Sequence, residues 1–249
     1  QKLKHFLVSE MPKQMLYMTI LEFEKEIGKN PMVIIPVGTV EAHGLHLPLG
    51  TDAIIPEKIA AELGERFDAI VAPTIYYGYT RSLKSYKGSL SVRENIFAEY
   101  VRDVVRSFCE NGAKTIIIIN GHGRQGSILH ERLLDFYERY GITIVIIDWW
   151  ILARSIDEEF FGHEGGHAGI SETSMIMAIN ESLVDKEAAK ETPAYMMKEG
   201  VYVVPFPAPF IKHHEKETLE VDHKKATKYF EKVVDEIERT IRDILAKLS

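Results

Sequence analysis

The chain has 249 residues, 45% hydrophobic and 27% charged, with 37 acidic against 30 basic side chains for a formal net charge of −7. That balance lacks the basic excess on which nucleic-acid binding depends, and no apolar run reaches the roughly 18 residues that a bilayer span needs. A single cysteine, Cys109, excludes an internal disulfide and fits a reducing compartment, so a cytoplasmic protein with no leader peptide and no membrane or nucleic-acid partner is expected.

Short β-branched runs alternate with amphipathic stretches from end to end, without repeats or a Gly/Ser linker. This predicts a single α/β domain over residues 1–249, with a sheet layered between helices. Met32–Val37 reads as a buried strand, Ala53–Phe67 as a helix and Ala69–Pro73 as a second strand. A polar and aromatic loop over Thr74–Val92 then leads to a helix from about Arg93 to Asn111. Lys114–Asn120 is the clearest strand, followed by a helix over Ser127–Tyr140 and a strand over Gly141–Asp148. A long amphipathic helix is expected from about Lys216 to the end. The unbroken apolar run Ile116–Ile119 implies burial on both faces, as in a central parallel strand. In such sheets ligands bind beyond the carboxyl ends of the strands.

Two segments at strand ends carry the chemistry: "GTVEAHGLHLPLGTD" (Gly38–Asp52) and "NGHGRQG" (Asn120–Gly126). On extended backbone Glu41 and His43 project from one face with Cα atoms roughly 6–7 Å apart. That separation suits two different ions about 3.5–4 Å apart better than two ligands on one ion. Asp52, with two oxygens, is placed to bridge both ions, and His122 adds an imidazole from the other strand end. Such mixed oxygen and nitrogen ligation fits zinc, manganese or iron. His46 is read either as a further ligand or as a partner of one.

A different metal pattern lies downstream. His163-Glu164-Gly165-Gly166-His167 matches H-E-x-x-H, which on a helix binds zinc with the glutamate as general base. Gly165 and Gly166 oppose a helix there, so a loop leading to a helix near Ser171 is expected, and His163 and Glu164 are given no role.

Taken together, "PVGTVEAHGLHLPLGTD", "NGHG" and "HAGISETS" resemble the creatininase family of metal-dependent amidohydrolases. The resemblance implies a three-layer α/β/α fold with a mostly parallel sheet and two divalent ions per subunit. It also implies a homo-oligomer, a hexamer built as a trimer of dimers. By position it makes Glu41, His43, Asp52 and His122 the metal ligands, and His167 the catalytic acid/base that passes a proton to the leaving nitrogen. Creatininase itself carries a glutamate ligand two residues after the NGH histidine, where this chain has Arg124; Glu172 is expected to take its place. Lys84, Ser85, Arg124 and Trp149 are expected to meet a small-molecule substrate, with Arg81 and Lys87 nearby and Tyr76, Tyr77, Tyr79 and Trp150 as further aromatic candidates. A cationic pocket suits an acidic or phosphorylated substrate better than creatinine. The implied reaction is hydrolysis of an amide-type C–N bond in a cyclic or formylated metabolite, such as a formylamino-pyrimidine nucleotide. Ring opening of a keto-inositol and a non-catalytic binding role on the same fold are the alternatives.

Overall fold

The computed structural model describes residues 13–80, 83–192 and 219–248. Four strands, β1 (Met32–Val37), β2 (Ile70–Val71), β3 (Thr115–Asn120) and β4 (Thr143–Asp148), form a parallel sheet in the order β2-β1-β3-β4. The chain moves from β1 outward to β2, crosses back to β3, and then continues outward to β4. The strand order therefore reverses between β1 and β3, and a crevice opens beyond their carboxyl ends, the usual ligand position in open α/β sheets. Glu41 and His43 follow β1, and His122 follows β3.

The strands are apolar on both faces because both faces are covered. Ile34, Ile117, Ile119, Val145 and Ile147 pack with residues of α2 (Thr51–Phe67), α8 (Ile170–Ile179) and α10 (His223–Leu248). Val33, Ile35, Val37, Ile116 and Ile118 face the other way, against α1 (Ile20–Lys29), α3 (Glu94–Glu110) and α4 (Gln125–Leu133). This is the expected three-layer arrangement. Each fully buried Val or Ile contributes roughly 1.5–3 kcal/mol relative to exposure, so the alternation of two apolar faces holds the sheet in register.

Several elements depart from the sequence expectation for identifiable reasons. The predicted helix over Ser127–Tyr140 is two helices, α4 and α5 (Phe136–Tyr140). The break falls at Leu134–Asp135, where Arg102 of α3 clamps both Asp135 oxygens at 2.7 and 2.8 Å. α1 is absent from the sequence reading, yet its capping box is visible there as T-x-x-E: Thr19 N donates to Glu22 Oε2 at 2.7 Å and Glu22 N to Thr19 Oγ1 at 3.3 Å. The Trp149-Trp150 pair opens a short helix, α6 (Trp149–Leu152), followed by α7 (Arg154–Phe161). A further short helix, α9 (Lys186–Glu191), follows α8.

α2 begins at Thr51, two residues earlier than expected. Asp52 thus sits in a first helical turn, where a carboxylate is favoured by the helix dipole, and not on a loop. α10 is the expected long amphipathic helix; its anticipated start near Lys216, like Arg81, His213 and His214, lies outside the described residues. Among the described residues no helix is long and apolar enough to cross a membrane.

Ile117 is fully buried in the central strand. Ile117→Ala should destabilise the fold by about 2–5 kcal/mol, read as a lower denaturation midpoint with an unchanged denaturant slope.

Candidate active site

The loop after β1 is extended at its start. Val40 bridges to Leu90, Glu41 N donates to Leu49 O at 2.9 Å, and Ala42 N donates to Ser89 Oγ at 2.9 Å. His46 pins the same loop to α8 through Thr173 Oγ1 at 3.0 Å from its Nε2, so it acts on the loop and not in the ligand cluster. After β3 the turn is fixed by Asn120. Its Nδ2 donates to His122 O at 2.8 Å and to Asp148 Oδ1 at 2.6 Å.

These two loops and the start of α2 converge on one carboxylate. His43 Nε2 lies 2.9 Å from Asp52 Oδ1, and His122 Nδ1 lies 2.9 Å from Asp52 Oδ2. Glu41 and His43 are fully buried. Glu41 Oε1 is 3.1 Å from His122 Nδ1 and 3.8 Å from His167 Nδ1. Glu172, in the first turn of α8, brings Oε2 to 3.7 Å from His43 Nε2 and accepts from Ala168 N at 2.6 Å. All five expected ligands and His167 therefore meet in one place.

The close approach depends on two glycines. A Cβ on Gly38 would stand 2.3 Å from the Asp52 carbonyl oxygen, and one on Gly121 would stand 1.9 Å from it. Pro56, four residues on, has no N–H to offer that carbonyl. Bare strand ends can thus close directly over the start of α2.

The donor set suits divalent cations. Both Glu41 oxygens are buried, with His122 Nδ1 at 3.1 Å from Oε1 as their charge partner, and a buried carboxylate is expensive unless a proton-bearing group or a cation completes it. His43 Nδ1 donates to its neighbour Glu41 O at 3.0 Å, which turns Nε2 toward Asp52, the outer-sphere pattern typical of metal-binding histidines. Two trios share Asp52: Glu41, Asp52 and His122, and His43, Asp52 and Glu172, with ligand atoms in each within 4.8 Å of one another. A third, Glu41, His43 and His167, overlaps them.

Charge compensation governs the ionisation here. Burial would lower the His43 pKa, but Asp52, Glu172 and Glu41 outweigh it and raise it to about 10. Burial acts the same way on His122, and Glu41 and Asp52 likewise lift it to about 10. Asp52 is held below the ordinary carboxylate range, because its two histidines overcome the upward push of burial. Glu172 is pushed up to about 8 by burial, although His43 pulls the other way. His167 is lowered to about 3 by burial, reinforced by the neighbouring His43 charge. Protons on His43 and His122 occupy positions that cations would take, so metal binding and proton release are linked.

A cavity of about 430 Å³ opens beside this cluster. Glu41, Asp52, His122, His167 and Glu172 line it, as do the expected Arg124 and Trp149. Lys84 and Ser85 are exposed on their loop and are not part of the lining. Tyr79 and Trp150 line it; Tyr76 and Tyr77 do not. Arg154, Asp157 and Glu164 also line it. Sequence reasoning missed the first two, which sit in the unanticipated α7 without a local motif. It had discounted Glu164 along with the H-E-x-x-H match. That match is indeed not helical: α7 stops at Gly162, φ 80°, and α8 starts at Ile170. Glu164 instead pairs with Arg154 at 3.3 Å.

A parallel α/β sheet with carboxylates and imidazoles clustered at its switch point defines a metallohydrolase layout. The sequence profile of the creatininase family, creatinine amidohydrolase, matches residues 16–241, and the chain belongs to that family; it is a metal-dependent hydrolase. It is 26% identical over 195 residues to a creatinine amidohydrolase of Pseudomonas putida, covering 71% of this chain and 75% of that one. It is 27% identical to 3-dehydro-scyllo-inosose hydrolase of Thermotoga maritima, covering 74% and 61%. To the mycofactocin precursor peptide peptidase of Mycolicibacterium smegmatis it is 31% identical, covering 60% and 58%. The last two matches thus span about three fifths of those relatives' lengths. A manganese form of creatininase superposes with a TM-score of 0.80 at 23% identity, covering 93% of this chain and 98% of that one. A zinc–zinc form superposes at 0.79 and 22%, covering 92% and 97%. At these identities the superpositions establish the shared fold.

Because the Asp52 carbonyl sits against Gly121, Gly121→Ala should displace the start of α2. The expected result is loss of most bound metal and a lower melting temperature, measured by elemental analysis and calorimetry.

Proposed function

We propose that this protein hydrolyses an amide-type C–N bond of a small cyclic or formylated metabolite at a site built for two divalent ions. The observation that carries the reading is Asp52: its two oxygens point to two different histidines, and each histidine has its own second carboxylate. Glu41, Asp52 and His122 would hold one ion, and His43, Asp52 and Glu172 the other. Zinc, manganese and iron all suit these donors. Divalent ions supply the Lewis acidity that polarises a carbonyl and activates water at neutral pH.

The chain's own residues do the rest. His167 Nε2 donates to Ala42 O at 2.8 Å, which fixes the ring and leaves Nδ1 as the atom that takes and returns a proton. Its ring lies 4.3 Å, centroid to centroid, from that of His43, so the proton is handled next to the ligand cluster. Trp149 and Trp150, edge-to-face at 6.3 Å, give the cavity a wall for a flat substrate. Arg124 lines the same cavity without an ion-pair partner among the described residues, and it holds a left-handed backbone, φ 69°, at a non-glycine position. An acidic or phosphorylated substrate, such as a formylamino-pyrimidine nucleotide, would meet that guanidinium. Assembly as a homo-oligomer, a hexamer in the family resemblance, belongs to the same reading.

Likeness to the inosose hydrolase supports a second reading, hydrolytic ring opening of a keto-inositol. A hydrolysis screen of the metal-reconstituted protein separates the two. It should contain creatinine, formylamino-pyrimidine nucleotides, keto-inositols and short peptides. Ring opening without turnover of any amide would overturn the C–N assignment.

Asp52→Ala should empty both metal positions; two ions retained by elemental analysis would sink the bridging role. His167→Ala should lower kcat by about 10²–10⁴-fold with metal content unchanged, whereas loss of metal would make His167 a ligand. For an acidic substrate, Arg124→Gln should raise KM by about ten-fold or more and leave the KM of a neutral analogue unaltered.

A further inference from the structure

The first glycine of H-E-G-G-H, Gly165, has a physical explanation that zinc binding does not supply. A Cβ on Gly165 would lie 1.8 Å from Ser171 Oγ and 3.2 Å from Asp157 Oδ2. Only a glycine lets the loop settle this closely onto α7 and the start of α8. There Gly165 N donates to Asp157 Oδ2 at 2.9 Å, and Tyr229 OH of α10 donates to Asp157 Oδ1 at 2.5 Å. Asp157 is 3% exposed and has no ion-pair partner among the described residues. A carboxylate buried against dipoles alone is costly to keep.

We propose that Asp157 is a positioning residue for the reaction, holding His167 against the ligand cluster through the backbone of Gly165. The loop is then tied down on both sides of His167. Upstream, the Gly165 amide is bound by Asp157; downstream, the Ala168 amide is bound by Glu172, with Ala168 itself in the left-handed region at φ 53°. Glu172 orients the loop as part of the metal cluster, so its contribution cannot vary independently. Asp157 supplies an anchor that does not depend on metal. Tyr229, fully buried, fixes the far oxygen of that anchor to the long C-terminal helix. The proposal rests on the assignment of proton transfer to His167.

The test compares Asp157→Ala, Asp157→Asn and Tyr229→Phe by amide hydrogen exchange over Gly165–Ala168, by metal content, and by kcat and KM on the substrate found in the hydrolysis screen. Asp157→Ala should speed exchange of these amides and lower kcat about ten- to hundred-fold with KM and metal content unchanged. Asp157→Asn keeps an oxygen that accepts from Gly165 N, so it should hold slow exchange and recover most of the lost kcat. Tyr229→Phe removes the hydrogen bond to the far oxygen but leaves the Gly165 contact, so its exchange should fall between those of the parent and Asp157→Ala, and exchange faster than in Asp157→Ala would overturn the proposal. Unchanged exchange in Asp157→Ala, equal impairment of the asparagine and alanine variants, or a loss carried by KM or metal content would each overturn the proposal. Where Asp157→Ala does not fold, fast exchange at Gly165 in Asp157→Asn overturns it instead. Exchange needs no substrate, so a fully active His167→Ala would refute the assignment to His167 while the Asp157 anchor is still judged on its own.

Discussion

Asp52 holds two imidazoles, one on each carboxylate oxygen, at the buried floor of the cavity, and much of the architecture exists to make that possible. Its carboxylate enters from the first turn of α2, and His43 and His122 enter from the loops after the two strands that flank the switch point. Each of these groups is expensive to bury alone. Together they compensate one another, and the protons that the carboxylates hold on His43 and His122 stand where cations would bind. The shifted ionisation of His43, His122, Asp52 and Glu172 is one electrostatic fact seen from four side: carboxylates and imidazoles crowded in a low dielectric.

The fold contributes rigidity and closeness in equal measure. The sheet is packed on both faces by aliphatic side chains, so the ends of β1 and β3 are fixed relative to each other. Gly38 and Gly121 then remove the side chains that would keep those ends from the start of α2. Around the cluster, backbone-directed hydrogen bonds orient the rings. His43 is held by the Glu41 carbonyl, His167 by the Ala42 carbonyl, and His122 is carried by a turn that Asn120 braces against Asp148. The ring atoms that face the carboxylates are those left over once these contacts are made.

The fourth side of the site is the loop from Gly162 to Gly169. It has a sequence pattern that advertises one chemistry and a conformation that serves another. Its Gly165 admits Ser171 and Asp157 at short range, and His167 points at Glu41 and not toward a site shared with His163. The cavity wall beside it mixes aromatic rings with Arg124 and Arg154. Arg124 stands there at the position where the family resemblance leads one to expect a glutamate.

Much of this was legible in the sequence. The β-branched run Ile116–Ile119 announced a strand buried on both faces, and the Glu41/His43 spacing announced two polar side chains brought into one cluster. Both are local consequences of a two-residue period and of side-chain chemistry. The glycines around His163 likewise ruled out a helical H-E-x-x-H, because a helix penalises them wherever they stand. What the sequence alone could not decide was every feature that depends on distant partners. Arg102 broke the expected Ser127–Tyr140 helix by clamping Asp135, thirty-three residues away. Lys84 and Ser85 fell outside the cavity, whereas Arg154 and Asp157 came into it from a helix with no motif. Asp52 moved from a loop into a helix turn, and there two glycines from other strands closed over it. Local pattern determines which groups are present and which way a segment faces. Only packing across the sheet determines which of them meet, since that depends on the summed burial of two apolar layers and not on any one stretch of chain.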